Sequence, residues 1–159
     1  MKAALISAIA GMGAVTAPSA ASDVYGLYNT GRSTVDANET GTLDVELHPC
    51  ANDVALLCGT VRALRDQSDP GAPTTMPDGR PIVGFTMIER LEPRGPGKWR
   101  DGRINAVDES LDKGKMVWYG LKLDSRDEAS VTLTGCLGFI CPRKIVWRRV
   151  GDGAAPAGE

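Results

Sequence analysis

The sequence predicts an all-β fold, an antiparallel up-and-down barrel of about eight strands, and three observations carry that reading. Apolar residues alternate with polar ones at period two in segment after segment. Past the first residues, no long stretch repeats apolar residues at the helical spacing. Clusters of Gly, Pro, Asn and Asp separate the alternating runs at short, regular intervals.

The first residues read as a cleavable export signal. Lys2 gives a positive start, residues 3–17 are a nearly uninterrupted small-apolar run, and Pro18, Ser19, Ala20 and Ala21 offer small residues for a cut after Ala21. That run is about 15 residues, short of the ~20 a spanning helix needs, and no later segment is apolar for long enough to anchor the chain. An uncleaved anchor is the alternative. The expected division is therefore a signal peptide over 1–21, a barrel domain over 22–150 and a disordered tail over 151–159, whose Gly, Ala and Pro with two acids cannot bury apolar area. The expected location is the periplasm or the outside of the cell.

Within the barrel domain the expected strands are residues 24–30, 41–48, 56–64, 82–92, 98–107, 115–124, 129–136 and 142–150. In the second, Leu43, Val45 and Leu47 share one face while Thr42, Asp44 and Glu46 form a wet one. In the sixth, Val117, Tyr119, Leu121 and Leu123 repeat the pattern; in the last two, Val131 and Leu133, then Ile145 and Trp147, alternate with polar residues. Asp101-Gly102 falls inside a run, so Gly102 reads as a bulge or sharp bend. Sequential strands joined by tight turns remove their edges by closing on themselves, and eight strands leave room for side chains or one small ligand. The long irregular segment 65–80 is expected to be a surface loop over one barrel mouth.

Cys50, Cys58, Cys136 and Cys141 are an even set in a chain that reads as exported, which favours disulfides. Three pairings are open. Local pairing, Cys50 with Cys58 and Cys136 with Cys141, is preferred because it closes short loops that resemble hairpin connections, each worth roughly 2 to 3 kcal/mol. The rival is a zinc site from His48, Cys50, Cys58 and one further cysteine, although the spacing matches no compact knuckle.

Several stretches taken in order carry a resemblance: Gly26-Leu27-Tyr28; Pro49-Cys50 with Leu57-Cys58-Gly59-Thr60-Val61; Gly79-Arg80-Pro81-Ile82-Val83-Gly84-Phe85-Thr86; Lys98-Trp99 through Gly102-Arg103-Ile104; and Gly135-Cys136-Leu137-Gly138 through Trp147-Arg148-Arg149. Together they resemble a bacterial exported family known only as domain of unknown function 2147, placed among lipocalin-like, or calycin, barrels. The resemblance implies a lipocalin-like barrel whose first-strand aromatic packs under a basic side chain of the last strand. Here that pair would be Tyr28 with Arg148 or Arg149, with Tyr standing where the family usually shows Trp. The family has no settled activity.

Chemistry has few seats in this sequence. His48 is the only histidine, so no paired-histidine metal motif exists. No Gly-x-Ser-x-Gly elbow sets up a nucleophile. Gly95-Pro96-Gly97-Lys98 is too short for a phosphate loop and precedes a strand. Asp66 with Asp69 and Asp108 with Asp112 read as solvated loop carboxylates. The formal net charge of −2, with both signs interspersed, excludes a basic nucleic-acid footprint and a polybasic membrane patch.

What remains points to binding. Phe85, Met87, Trp118, Tyr119 and Trp147 offer ligand-sized apolar faces, and Arg103, among arginines on or beside strands that include Arg62 and Arg80, could hold a carboxylate bidentately. The leading reading is an exported, non-catalytic barrel that holds a small, partly apolar molecule and needs no cofactor. The alternative is an envelope interaction protein with a solid core, whose loops, chiefly 65–80, dock another protein or the cell wall. An enzyme with a site assembled from distant acids ranks third.

Overall fold

The computed structural model describes residues 24–31 and 41–151. The expected signal peptide and residues 152–159 of the expected tail lie outside them. The described residues form eight strands and one helix in the order β1 (Gly26–Asn29), β2 (Thr42–Pro49), β3 (Leu57–Arg65), β4 (Thr86–Pro93), β5 (Lys98–Asn105), α1 (Val107–Lys113), β6 (Trp118–Asp124), β7 (Ser130–Leu137) and β8 (Ile140–Arg149). Each strand pairs antiparallel with the next, and β8 returns to β1, so the sheet is the closed eight-stranded barrel expected of the sequence.

Alternation builds the interior. Leu123, Leu133 and Ile145 face one another across β6, β7 and β8, and Val131 faces Trp147 one step further on. Leu123, Leu133, Val131 and Trp147 are each at most 1 % exposed. Such rows of cross-strand apolar pairs stabilise a sheet and fix its register, because a slip by one residue would turn the whole row outward.

The ends of the barrel differ in kind. At one end the chain closes on Arg149. Its Nη1 donates to the Tyr25 carbonyl (2.8 Å), its Nη2 to the Tyr28 hydroxyl (2.7 Å) and its Nε to the Glu128 carbonyl (2.5 Å), while its guanidinium lies 4.9 Å from the centre of the Tyr28 ring. The Tyr28 hydroxyl in turn donates to the Val24 carbonyl at 3.0 Å. Tyr28 is fully buried, and burial pushes its hydroxyl above its ordinary titration value despite the nearby guanidinium. Gly26 makes the approach possible: its φ is +145° and a Cβ there would lie 2.4 Å from Arg149 Nη1. Arg148 points the other way, exposed to solvent.

Gly102 plays the part expected of it. The β5–β6 register shifts between Trp99 and Gly102, Asp101 adopts φ +60°, and a Cβ on Gly102 would come within 2.6 Å of the Leu91 side chain. The disulfides are the local pair, Cys50–Cys58 across the β2–β3 connection and Cys136–Cys141 across the β7–β8 tip. Two disulfides point to an oxidising environment. Among the described residues no helix is long and apolar enough to cross a membrane.

Three expectations need correction. The fourth strand begins at Thr86, since residues 82–85 form a turn in which Phe85 N donates to the Ile82 carbonyl and Gly84 N to the Val61 carbonyl. The face of β2 read as wet is partly dry: Thr42 is 6 % and Asp44 2 % exposed. A register shift between Asp44 and Val45 breaks the alternation, and Asp44 accepts from Asn29 Nδ2 (2.8 Å) and Arg65 Nε (2.7 Å), which satisfies the carboxylate in place of water. Loop 65–80 is more than a surface insert. Met76 N donates to the Arg80 carbonyl and Ile82 N to the Thr74 carbonyl, folding the loop back so that Met76 and Ile82 are 2 % exposed in the core.

Helix α1 was not signalled by the sequence. It has a single turn of pattern, with Val107 and Ser110 buried and Leu111 packed against the core. Gly114, left-handed at φ 61°, caps its C-terminus and returns an N–H to the Leu111 carbonyl. The helix is tied down by Ser110, whose hydroxyl donates to Asn105 Oδ1 (3.1 Å) and accepts from Val117 N (2.9 Å). Glu109 is the outer tie, taking hydrogen bonds from Lys113 and from the Tyr119 hydroxyl on β6.

Two tests follow. Arg149→Met is expected to cost about 3 kcal/mol, because three hydrogen bonds to a charged group and its seat on Tyr28 are lost. Arg148→Met should stay within about 0.5 kcal/mol of the wild type. Urea midpoints at unchanged slope measure both. Second, Lys113 first and the Tyr119 hydroxyl next hold the Glu109 carboxyl below its ordinary value of 4.5. A carboxyl depressed in the folded state adds stability above its unfolded value and loses it as pH falls through the folded one. Between about pH 5 and pH 3 the wild-type urea midpoint should therefore fall more steeply than that of Glu109→Gln. Parallel curves would mean that Glu109 does not hold α1.

Candidate functional site

Because the strands alternate in direction, the end opposite Arg149 gathers the start of β8, the ends of β1, β3 and β5, the loop before β4, and helix α1. Two adjoining cavities open there, of about 530 Å³ and about 430 Å³. Ile104, Asp108, Pro142, Arg143 and Ile145 line both.

The strand register explains the space. On β8, Arg143, Ile145 and Trp147 stand in step, so Arg143 belongs to the same row-by-row series as the two apolar residues. Arg143 faces Gly135, which faces Leu121 on β6. Gly135 brings no side chain to that row, and a Cβ there would reach the Arg143 Cβ only at 3.7 Å. The pairing of β8 with β1 covers Tyr28 with Arg149 and Asn29 with Arg148. Beyond it, Thr30, Gly31, Thr42 and Leu43 stand across the larger cavity from residues 142–146. Ile145 and Val146 are 42 % and 51 % exposed at this seam.

The larger cavity has a buried floor and a wet rim. Trp147, Ile82, Met87 and Val107 contribute to its wall and are almost inaccessible to solvent; Leu43, Leu64, Ile104 and Leu111 extend the apolar surface. Gln67, Asp108, Arg143 and Lys144 supply the exposed polar rim. Trp147 is 1 % exposed, and its indole Nε1 has no hydrogen-bond partner among the described residues. The smaller cavity lies between α1 and the β6–β8 wall, lined by Leu121, Leu133 and Ile145, with Glu109 and Asp112 of α1 and Tyr119 of β6 as polar groups. The bond to Glu109 pushes the Tyr119 hydroxyl up from its ordinary value. Concave, mostly apolar spaces with a few polar groups are the usual form of small-molecule sites.

The structure divides the sequence candidates. Met87 and Trp147 line the larger cavity and Tyr119 the smaller. Phe85, Trp118 and Arg103 line neither. They form a separate stack, with Phe85 6.2 Å from Trp118, Arg103 4.5 Å over Trp118 and Arg80 4.7 Å over Phe85. Arg103 is further engaged with Glu89. Tyr28 and Arg149 meet at the far end, and Arg148 stays outside. Arg143, Ile145, Asp108 and Leu111 were missed. Arg143 was legible, one step of two before Ile145 and Trp147.

Among the described residues no three His, Cys, Asp or Glu side chains are grouped to hold a metal ion. His48 lies on β2, with Nδ1 2.8 Å from the Pro49 carbonyl and Nε2 2.7 Å from the Thr60 hydroxyl, and lines neither cavity.

Comparison with known proteins agrees with this architecture. Among solved structures the chain is similar to protein HP1028 from the human pathogen Helicobacter pylori, described as belonging to the lipocalin family. The TM-score is 0.61 at 13 % sequence identity, covering 80 % of this chain and 83 % of that one. At that identity the likeness shows the fold. No curated protein matches the chain. A family model described as an uncharacterized protein conserved in bacteria (DUF2147) matches residues 31–149, and the chain belongs to that family.

Proposed function

We propose that the protein is exported to the periplasm or beyond the cell and there binds a small, partly apolar molecule at the α1 end of its barrel, without catalysing a reaction. The observation that carries this reading is the larger cavity. At about 530 Å³ it falls within the range of small-molecule sites, and its buried floor is apolar while its rim is polar. Export is supported by the signal pattern over residues 1–21 and by the two disulfides, which persist in oxidising compartments. The lipocalin-like fold is compatible with ligand binding, and function is argued from the site because one fold hosts many functions.

One observation favours the second reading, an envelope interaction protein. At the β7–β8 tip Leu137, Phe139 and Ile140 are 58 %, 104 % and 70 % exposed, and a solid interior would leave this tip as the working surface.

Native mass spectrometry of the protein purified from its own compartment distinguishes the two. The expected result is a mass above that of the polypeptide by one small organic molecule. Ile145→Trp, which fills the mouth shared by both cavities, should lose that mass while keeping the wild-type far-ultraviolet circular dichroism. A bare polypeptide from the wild type would overturn the binding reading and leave the tip as the site to pursue.

A further inference from the structure

The β7–β8 hairpin ends in a knob of large apolar side chains. Leu137 faces Ile140 across a tight turn of Gly138 and Phe139, with Gly138 left-handed at φ 59°. Phe139 stands clear of the chain on every side, at 104 % exposure, and Leu137 and Ile140 are more than half exposed. The Cys136–Cys141 disulfide ties the two strands directly behind the turn and holds the knob in one shape. Among the described residues β8 meets β1 only at Arg148 and Arg149, which leaves the tip without a strand beside it on that side. Arg143 and Lys144 follow on β8, both exposed, and neither joins an ion pair among the described residues. Consecutive residues of a strand point to opposite faces, so one cation stands on each face of the hairpin.

We propose that this tip docks on the surface of a phospholipid bilayer, with Leu137, Phe139 and Ile140 entering the boundary between headgroups and acyl chains while Arg143 and Lys144 meet the lipid phosphates. The spacing fits. From Ile140 to Arg143 is about 10 Å along an extended strand, which matches the depth to which interfacial elements sink, and longer basic side chains reach back to the headgroups. Shape separates a bilayer from a protein partner: a protein covers one face of a hairpin, whereas a fluid surface surrounds a tip that is apolar all round and carries a cation on both faces. The pairing of Leu137 with Ile140 keeps the turn's backbone satisfied at shallow depth. The acids near this end, Asp108, Glu109 and Asp112, stand on α1, and Glu109 is taken up by Lys113 and Tyr119. So small an apolar tip with so few cations makes a reversible contact and no permanent anchor. Leu137 lines the smaller cavity and Arg143 lines both, so docking turns the cavity mouths toward the lipid. This goes beyond the binding reading and stands without it.

The test floats the protein, purified from its own compartment with its disulfides intact, with vesicles of phosphatidylethanolamine and phosphatidylglycerol and, separately, of phosphatidylcholine alone. The wild type should float with both, and about tenfold more tightly with the anionic vesicles. Phe139→Ser, at a position with no packing to lose, should keep the wild-type melting temperature and lose about tenfold in affinity for both. Arg143→Gln combined with Lys144→Gln should erase the preference for anionic vesicles and leave binding to phosphatidylcholine unchanged. Phe139→Trp keeps an aromatic tip, and its added fluorescence should shift to the blue with vesicles and be quenched by brominated acyl chains. Failure of the wild type to float, or flotation that Phe139→Ser leaves unchanged, would overturn the docking, as would bound protein whose tip fluorescence escapes the brominated chains. None of these outcomes moves the native mass, which tests the cavity alone.

Discussion

The contacts that close the sheet gather on one guanidinium, that of Arg149. A meander of eight strands has two free edges until its last strand meets its first, and β1 is only four residues long. The contact between the two edges is two residue pairs, which gives little ladder to hold them. Arg149 adds to it by donating to the Tyr25 carbonyl and the Tyr28 hydroxyl on the β1 side while lying on the Tyr28 ring, and its Nε ties it to the Glu128 carbonyl before β7. Two features of the sequence serve that one side chain. Gly26 keeps the space open, and Tyr28 offers both a ring face and an acceptor oxygen.

The division of labour between the two ends follows. The end around Arg149 is filled by Tyr28, Val24 and Leu47, all buried, and carries the β2–β3, β4–β5 and β6–β7 connections. The other end carries α1, the folded-back loop and the β7–β8 tip. Its rows include Gly135 where a larger side chain would fill the barrel. A packed pole opposite a hollow one lets the cavity exist without destabilising the closure, because the residues that hold the sheet shut do not line it.

Much of the barrel was legible because alternation is a local signal. Leu121 with Leu123, Val131 with Leu133 and Ile145 with Trp147 announce their strands whatever they pair with. What failed needed nonlocal facts. Helix α1 has too few turns to show a period. Asp44 is dry because Asn29 and Arg65, distant in sequence, replace its water. The site was harder still: Phe85, Trp118 and Trp147 are alike as aromatic residues, and only the register says that Trp147 faces the cavity while the other two stack under arginines.

The Tyr28–Arg149 contact also bears on the history of the folded state. Its partners are 121 residues apart, whereas every other strand pairing joins neighbours along the chain. Neighbouring hairpins close short loops at little entropic cost, and the cost of closing the long one grows only slowly with length. The chain can therefore assemble its meander first and join its edges last. A contact made late in assembly has little influence on how fast a protein folds and a large one on how long it stays folded. Arg149 then sets the lifetime of the barrel more than the speed of its formation.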